Sequence, residues 1–308
     1  MICSFGAVTA DRIMKTALFI ALGMLAAGYL VLWTLEIRAR RDRPMPDLRG
    51  GFVGLITNFF DTLGIGSYAP TTAFFKLWRM VPDEQIPGTL NVGHTIPTVI
   101  QAFIYVAVIQ VDVTTLTLML AAAASGAWLG AGVVAKWPRR KIQIGMGFAL
   151  LAMAGFFLAR QLEWMPGGGD LLGLAGAKLA FAVAVNAVLG ALMTLGIGMY
   201  APCMILVALL GMNPRAAYPI MMGSCAFLLP VSSVRFIRKK RYNLKAAWGL
   251  AVGGIPGVLT AAFVVKELPL DWVRWLVIVV VVYTAIMMLR SAMAERRASA
   301  VAAPAAGG

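Results

Sequence analysis

The chain is poor in the residues that build metal sites, disulfide frameworks and charged catalytic centres. Among its 308 residues are 3 cysteines and 1 histidine, and charged residues make up 13%. The cysteines form no CxxC pair, so the sequence predicts neither a disulfide scaffold nor a zinc site. HExxH and GxSxG motifs are absent, and no two carboxylates stand at a recognisable catalytic spacing. We therefore predict no enzyme, no bound metal and no cofactor.

Hydrophobic residues, by contrast, make up 60% of the chain. A soluble domain cannot cover that much apolar surface, so the composition indicates a protein of the lipid bilayer. Apolar segments of about 20 residues, the length that crosses hydrocarbon, recur along the sequence. They lie at about 16–35, 50–80, 84–110, 114–135, 142–160, 177–212, 214–236, 246–265 and 271–290. We predict an all-α polytopic membrane protein.

The first apolar segment has the outline of a signal peptide. Arg12 and Lys15 precede the apolar run at 16–35, but no small-residue cleavage site follows it. We therefore interpret it as an uncleaved anchor helix. Residues 1–47 are predicted to form this N-terminal helix and a basic cytoplasmic loop.

Basic residues outnumber acidic ones, 27 against 13, and the formal net charge is +14. Most of them fall in four clusters, at 36–49, 136–141, 235–245 and 290–297. The positive-inside rule explains such clusters as cytoplasmic loops, and no nucleic-acid-binding module accompanies them, so nucleic acid is not a predicted partner. Loops with few basic residues are placed outside: 111–113, 160–170 and 266–271. We predict a multi-pass protein of the cell inner (plasma) membrane, with its N-terminus outside and its C-terminus in the cytoplasm.

A nonapeptide occurs twice in the apolar part of the chain. TLGIGSYAP at 62–70 returns 132 residues later as TLGIGMYAP at 194–202, and the only difference is Ser67 against Met199. Gly-x-Gly followed by proline is poor helix material. We therefore predict a helix, a break and a second helix that returns, in each copy. The same offset relates two proline pairs, Pro82 with Pro214 and Pro87 with Pro219.

The loop charges orient these two hairpins. The charges fit only if the first hairpin enters and leaves on the cytoplasmic side and the second on the outer side. Each half then contains a broken re-entrant hairpin plus three transmembrane helices, at 48–160 and 171–290. This is an inverted-topology repeat, the common plan of secondary transporters. Residues 291–308 are rich in alanine, proline and glycine, and they are predicted to form a disordered cytoplasmic tail.

The helix breaks predict a binding site and the sign of the charge that it prefers in a ligand. Unpaired backbone groups at membrane depth cost several kcal/mol, so either neighbouring helices or a substrate must pair them. The second arms, at 68–80 and 200–212, present their N-termini to the membrane interior, where free N–H groups and the helix dipole favour an anion. Ser67 is a candidate N-cap. The predicted substrate-binding residues are Thr62, Gly64, Gly66, Ser67, Tyr68, Thr194, Gly196, Gly198, Met199 and Tyr200.

Four further polar residues lie at membrane depth in the first half and are candidates for proton coupling or polar lining. They are Asn58, Asp61, Asn91 and His94. Asp61 either carries a coupling proton or caps backbone donors of the break. His94 either titrates or is a hydrogen-bonded structural histidine. Tyr68 and Tyr200 either form aromatic walls of the site or pack.

The two halves resemble the sulfite exporter TauE/SafE family of membrane permeases. The resemblance covers about residues 48–290 and rests on the segments DTLGIG at 61–66 and MTLGIG at 193–198, on IPGTLNVGH at 86–94 and on GAWLG at 126–130. Many members carry three glycines after the break, where this chain has SYAP and MYAP. The resemblance implies transport of sulfur-containing anions such as sulfite, sulfonates or thiosulfate.

We therefore predict a permease that binds a small sulfur-containing or organic anion between the two breaks and moves it by alternating access. Its predicted partners are that anion, the bilayer and a coupling proton or cation. The alternative is a non-transport membrane scaffold or accessory subunit. The residues do not decide between a monomer and a homo-oligomer.

Overall fold

The structure is a computed structural model that describes residues 2–39, 45–164, 168–263 and 271–302. Side chains are described for 12–39, 45–164, 168–263 and 275–296. None of these residues lies in a named β-strand. The α-helices are α1 (Ile2–Ala39), α2 (Leu48–Thr62), α3 (Tyr68–Leu77), α4 (Ile86–Val108), α5 (Val113–Val134), α6 (Arg139–Gln161), α7 (Gly176–Met193), α8 (Tyr200–Leu209), α9 (Ala217–Arg238), α10 (Leu244–Phe263) and α11 (Asp271–Ala302).

Eight helices in this part of the chain are long and apolar enough to cross a membrane, by length and composition. They are α1, α4 to α7 and α9 to α11. The helices α2, α3 and α8 have 15, 10 and 10 residues. At about 1.5 Å per residue they fall short of the roughly 30 Å of hydrocarbon, so none of them crosses it alone. The helix α7 is longer than its predicted equivalent, α2. It begins at Gly176, before the position that corresponds in the repeat to Leu48, the first residue of α2.

The helices break at both copies of the nonapeptide, as predicted. The first break lies between Thr62 and Tyr68, and the second lies between Met193 and Tyr200. Gly64 and Gly196 have φ angles of +89° and +109°. Residues with a side chain rarely adopt this left-handed conformation. The glycines therefore end the first helix of each pair where the sequence places them.

In both pairs, the second helix runs back along the first. The Phe52 ring near the start of α2 lies 6.3 Å from the Trp78 ring at the end of α3. Lys178 Nζ near the start of α7 donates to the Leu210 carbonyl after α8, at 3.4 Å. Each pair is therefore a hairpin with its break at the tip.

Small residues let helices from opposite halves pack backbone to backbone. Gly54 of α2 lies against the backbone of Leu250 in α10, and Gly126 of α5 lies against that of Ala187 in α7. Lipid chains are as apolar as leucine, so close van der Waals contact of this kind is what holds helices together in a bilayer. The α2–α10 and α5–α7 contacts thus join the two halves.

The helices α4 and α9 lie at the centre of the bundle and run antiparallel. Gly88 near the start of α4 packs against Phe236 near the end of α9. At the other end, the rings of Tyr105 and Tyr218 stack with their centroids 5.6 Å apart. This pair positions α4 side chains over the first break.

The connecting segments gather on two faces of the bundle. On one face, the Asp112 N–H after α4 donates to the Leu172 carbonyl before α7, at 2.8 Å. On the other, Arg241 Nη2 donates to the Trp137 carbonyl at 2.7 Å and joins the α5–α6 and α9–α10 connections. Two of the predicted basic clusters therefore meet on one face, and two of the basic-poor loops meet on the other.

The last helix corrects one prediction. The sequence predicted disorder from residue 291, but α11 continues to Ala302. Alanine is the strongest helix former, Ala292 is buried, and the Ser291 hydroxyl accepts from Lys76 Nζ at 3.4 Å. Residues 303–308 of the predicted tail lie outside the described residues, as do 40–44 and 264–270 of the predicted loops.

We expect Gly126→Val to destabilise the protein, because a Cβ at Gly126 would overlap the backbone of Ala187. Overpacking of this kind costs about 1–3 kcal/mol. The melting temperature in detergent should fall by several degrees. Gly155→Val is the matched control, since a Cβ at Gly155 meets no heavy atom within 4 Å. Equal losses in the two variants would contradict the role assigned to the contact.

Candidate functional site

A buried hydrogen-bond cluster connects the two breaks. Tyr200, the first residue of α8, donates its hydroxyl to Asp61 Oδ2 at 3.0 Å. Gln101 Nε2, from α4, donates to the same carboxylate oxygen at 2.8 Å and lies 2.9 Å from Thr62 Oγ1. The Tyr200 hydroxyl also lies 3.1 Å from Gln101 Oε1. The cluster therefore joins the end of α2, the middle of α4 and the start of α8.

Aromatic side chains cover the first break. The Tyr105 hydroxyl donates to the Thr62 carbonyl at 2.7 Å, and the Tyr105 ring stacks on Tyr218. A Cβ at Gly64 would come within 3.2 Å of the Tyr218 hydroxyl. The Thr62 hydroxyl bonds inside its own helix, to the Asn58 carbonyl at 2.7 Å. Neighbouring side chains therefore satisfy part of the broken backbone here.

The N-terminus of α3 faces a carboxylate. Ser67 stands at the N-cap position but its side chain caps no backbone N–H of α3, and its backbone is helical (φ −90°, ψ −30°) rather than extended. Its hydroxyl and N–H face Asp61 instead. The N-cap prediction for Ser67 was therefore wrong, because a capping side chain needs an extended backbone to accept from the first turn, and Ser67 is helical. Asp61 faces donors at the break, and this contact leaves both of its predicted roles open.

The N-terminus of α8 has no such carboxylate. The position equivalent to Asp61 is Met193, whose Sδ lies 3.5 Å from Cys225 Sγ. The N–H groups of Gly198 and Met199 donate to no group among the described residues. The Thr194 hydroxyl bonds to the Ala191 carbonyl at 2.7 Å. The second break thus keeps unpaired donors and the positive end of a helix dipole.

Most of the predicted site is buried. Asp61, Thr62, Ser67, Tyr68, Thr194, Met199 and Tyr200 have at most 5% of their surface exposed. Gly64, Gly66 and Gly196 are buried as well, and Gly198 is partly exposed. Tyr68 lies against His94, with ring centroids 5.6 Å apart. The second break therefore reaches the protein surface at Gly198, whereas the first break is buried.

His94 ties α4 to both arms of the first hairpin. Its Nδ1 lies 3.1 Å from Asn58 Oδ1, and its Nε2 lies 3.1 Å from Thr71 Oγ1. Asn58 Nδ2 donates to the Gly54 carbonyl at 2.8 Å, so Asn58 Oδ1 is free to accept from Nδ1. A neutral imidazole can donate its Nδ1–H to Asn58 Oδ1. The Thr71 hydroxyl also donates to Thr57 Oγ1 at 3.1 Å, so its single proton does not serve Nε2 at the same time. His94 is thus a buried histidine with a polar neighbour at each ring nitrogen.

Asn91 contacts other groups than the breaks. Its Nδ2 donates to the Pro87 carbonyl at 2.8 Å, and its Oδ1 accepts from the Ser232 hydroxyl at 2.6 Å. These bonds lie within α4 and between α4 and α9. Asn91 thus stabilises the central helix pair, and the structure does not bring it to the two breaks.

Several residues of the cluster were missing from the predicted site. They are Gln101, Tyr105, Tyr218 and Cys225. The spacing of His94, Gln101 and Tyr105 places them on one face of α4, and that pattern was available in the sequence. Tyr218 and Cys225 belong to the other half, and no local pattern identifies them. Cys203 and Cys225 are buried free thiols, as predicted for small packing residues.

A bundle of membrane-crossing helices with two broken hairpins that meet at a buried polar cluster is the architecture of a membrane transporter. The chain belongs to the sulfite exporter TauE/SafE family, whose sequence model matches residues 2–157 and 177–308. Membership implies a membrane transporter of sulfur-containing anions. The match is wider than the predicted resemblance, since it includes α1 and the C-terminal residues. No curated protein and no solved structure matches the chain.

Tyr200→Phe should destabilise the protein, because the buried Asp61 carboxylate would lose a hydrogen-bond donor. Bonds to charged groups are worth about 1.5–3 kcal/mol, so the melting temperature in detergent should fall. Tyr283→Phe is the matched control, since Tyr283 is 49% exposed. A melting temperature equal to that of the control would show that the bond between the breaks contributes nothing.

Proposed function

We propose that the protein is a secondary permease of the plasma membrane that moves a small sulfur-containing or organic anion by alternating access. The observation that carries this proposal is the N-terminus of α8. Its free N–H groups at Gly198 and Met199 lie beside a buried polar cluster in the middle of the chain's apolar helices. A site of that charge and burial favours a small anion over a cation or an apolar molecule.

The arrangement of the helices supports an inverted repeat. The contact of α2 with α10 has an equivalent in the contact of α7 with α5, as expected if the two halves are related by symmetry. In a repeat without inversion, the equivalent helices α4 and α9 would run parallel. They run antiparallel, from Gly88 opposite Phe236 to Tyr105 opposite Tyr218. An axis in the membrane plane relates such halves.

The loop charges then orient the protein. The face where Arg241 meets the α5–α6 connection carries two of the basic clusters and belongs in the cytoplasm. Lys15 near the start of α1 donates to the Ala107 carbonyl near the end of α4, at 3.4 Å, which places the start of α1 on the opposite face. The N-terminus is therefore outside, and the C-terminus, after α11, is in the cytoplasm.

The second break is the anion site, and the first break is the coupling site. At the first break, Asp61 already faces the donors of Ser67, so an anion there would meet a like charge. At the second break, a methionine replaces the carboxylate. Sulfite and sulfonates present three oxygens on one sulfur, which suits the converging N–H groups at the start of a helix.

A competition at the first break would couple anion and proton. When Asp61 takes up a proton, the Tyr200 hydroxyl loses a charged acceptor and becomes available to an anion at the start of α8. When the anion leaves, Asp61 can release its proton and accept again from Tyr200. Thr62, Gly64, Gly66, Tyr68, Thr194 and Gly196 shape the space around the two ends.

Gly198→Ala is the sharpest test of the anion site. Gly66 has a φ of +91°, so a side chain there strains the backbone whatever it does to binding. At Gly198, a Cβ would meet only the flexible methyl of Met153, at 3.3 Å. We expect flux of sulfite, thiosulfate and methanesulfonate into proteoliposomes to fall at least about tenfold, equivalent to about 1.4 kcal/mol.

Gly155→Ala is the control for this variant, because it adds the same methyl group in open space. Undiminished flux in folded Gly198→Ala would place the anion elsewhere. If the unmodified protein moved none of these anions, the scaffold or accessory-subunit alternative would be favoured.

Asp61→Asn should separate anion movement from proton coupling, because an amide cannot take up or release a proton. Exchange of the transported anion across proteoliposomes should persist. Accumulation of the anion against its own gradient should be lost. In the unmodified protein, coupling one proton to each monovalent anion would accumulate the anion about tenfold for each unit of pH difference. Glu163→Gln, in a loop, is the control. Full pH-driven accumulation by folded Asp61→Asn would assign coupling to another group.

A further inference from the structure

A second site with affinity for anions lies away from the helix breaks, where α5 and α9 end. A cavity of about 220 Å³ opens there. It is large enough for a phosphate group and part of its glycerol. The residues that line it are Trp128, Gly132, Ala135, Lys136, Val234, Arg235, Arg238 and Lys239.

The lining is basic and contains no acidic residue. Lys136 comes from the end of α5, Arg235 and Arg238 come from the last turn of α9, and Lys239 follows them. Four cations around one cavity repel one another unless an anion lies between them. Such a pocket between transmembrane helices fits an acidic headgroup.

Arg235 lies in the wall of this cavity with part of its hydrogen-bonding capacity unused. Its guanidinium stacks on the Trp128 ring, with Cζ 3.7 Å from the ring centroid. Its Nε is buried and has no hydrogen-bond partner. Gly132 makes room for it, since a Cβ there would come within 2.9 Å of Nη1. The charge is therefore held in place and lacks an acceptor.

An apolar groove adjoins the basic cavity. It has a volume of about 590 Å³, lies between α1 and the end of α9, and shares Arg238 with the cavity. Its walls include Val31 and Leu35, each 60% exposed. Glu36 also lines the groove and is engaged in an interaction of its own. A ligand that filled both spaces would carry an anionic group and a hydrocarbon chain.

We propose that this combined site binds an anionic phospholipid, with the phosphate in the basic cavity and one acyl chain in the groove beside α1. A free oxyanion would satisfy the cations but would leave the groove unused. The site lies at the ends of membrane-crossing helices, at the level of lipid headgroups. Since both spaces contact α9, the central helix, a bound lipid would link it to the anchor helix α1.

The test is lipid retention by the whole protein in native mass spectrometry. Delipidated protein is titrated with phosphatidylglycerol, with phosphatidylcholine of the same acyl chains, and separately with inorganic phosphate. Two variants remove positive charge from the cavity: Arg235→Gln, and the double variant Arg238→Gln/Lys239→Gln. The control Arg140→Gln/Lys141→Gln removes two exposed charges that do not line the cavity.

We expect phosphatidylglycerol to bind at least about fivefold more tightly than phosphatidylcholine. Each cation near the membrane surface is worth roughly fivefold in affinity. The double variant should therefore weaken phosphatidylglycerol binding about 25-fold, and the control variant should weaken it less than about twofold. The double variant leaves the Arg235–Trp128 stack intact, so the test holds even if Arg235→Gln does not fold.

Two results would overturn the proposal. If the control pair weakened the lipid as much as the cavity variants, the attraction would be general surface charge. If inorganic phosphate raised the melting temperature as much as phosphatidylglycerol did, the ligand would be a free oxyanion rather than a lipid.

Discussion

The pairing of backbone N–H and C=O groups inside hydrocarbon is the constraint on which this structure depends. In the described part of the chain, eight helices meet most of it by themselves, although interior prolines each remove one N–H from α4, α9 and α10. The two nonapeptides break it. The Gly64 and Ile65 N–H groups fold back onto the carbonyls of Asp61 and Phe60, which closes α2. The N–H groups at the N-termini of α3 and α8 receive no backbone acceptor, because no helical turn precedes them. At the first break, Asp61 lies opposite these donors; at the second break, no described side chain accepts from Gly198 or Met199.

The two halves answer this need differently. The first half supplies a carboxylate, Asp61, which it stabilises with Gln101 and Tyr200. The second half has Met193 at the equivalent position, so the donors at Gly198 and Met199 have no internal acceptor. A symmetric scaffold therefore holds an asymmetric pair of sites. This division supports the proposal that one site serves the anion and the other a proton, although both derive from one repeated sequence.

Much of this could be predicted because membrane burial makes local patterns decisive. Apolar length located the helices, and Gly-x-Gly located both breaks, since only glycine adopts the positive φ found at Gly64 and Gly196. Composition misled at the tail, where alanine-rich residues were interpreted as disordered but continue α11 as helix. The Ser67 cap failed because capping requires an extended backbone at that residue, whereas Ser67 already has helical φ and ψ angles.

The sequence by itself determined the bilayer environment and the division of the loops into basic and basic-poor ones. It also determined the two helix breaks and the positive N-termini of the helices that follow them. Each of these features depends on residues that are adjacent in the chain. Only the tertiary structure decided which groups meet. Tyr200 lies 139 residues from Asp61 and still donates to it, and Tyr218 comes from α9 to cover the first break. These contacts depend on the antiparallel packing of α4 on α9 and on the glycine contacts between the halves. No local pattern encodes such distances, so the sequence could not show that a tyrosine at the second break donates to the carboxylate at the first.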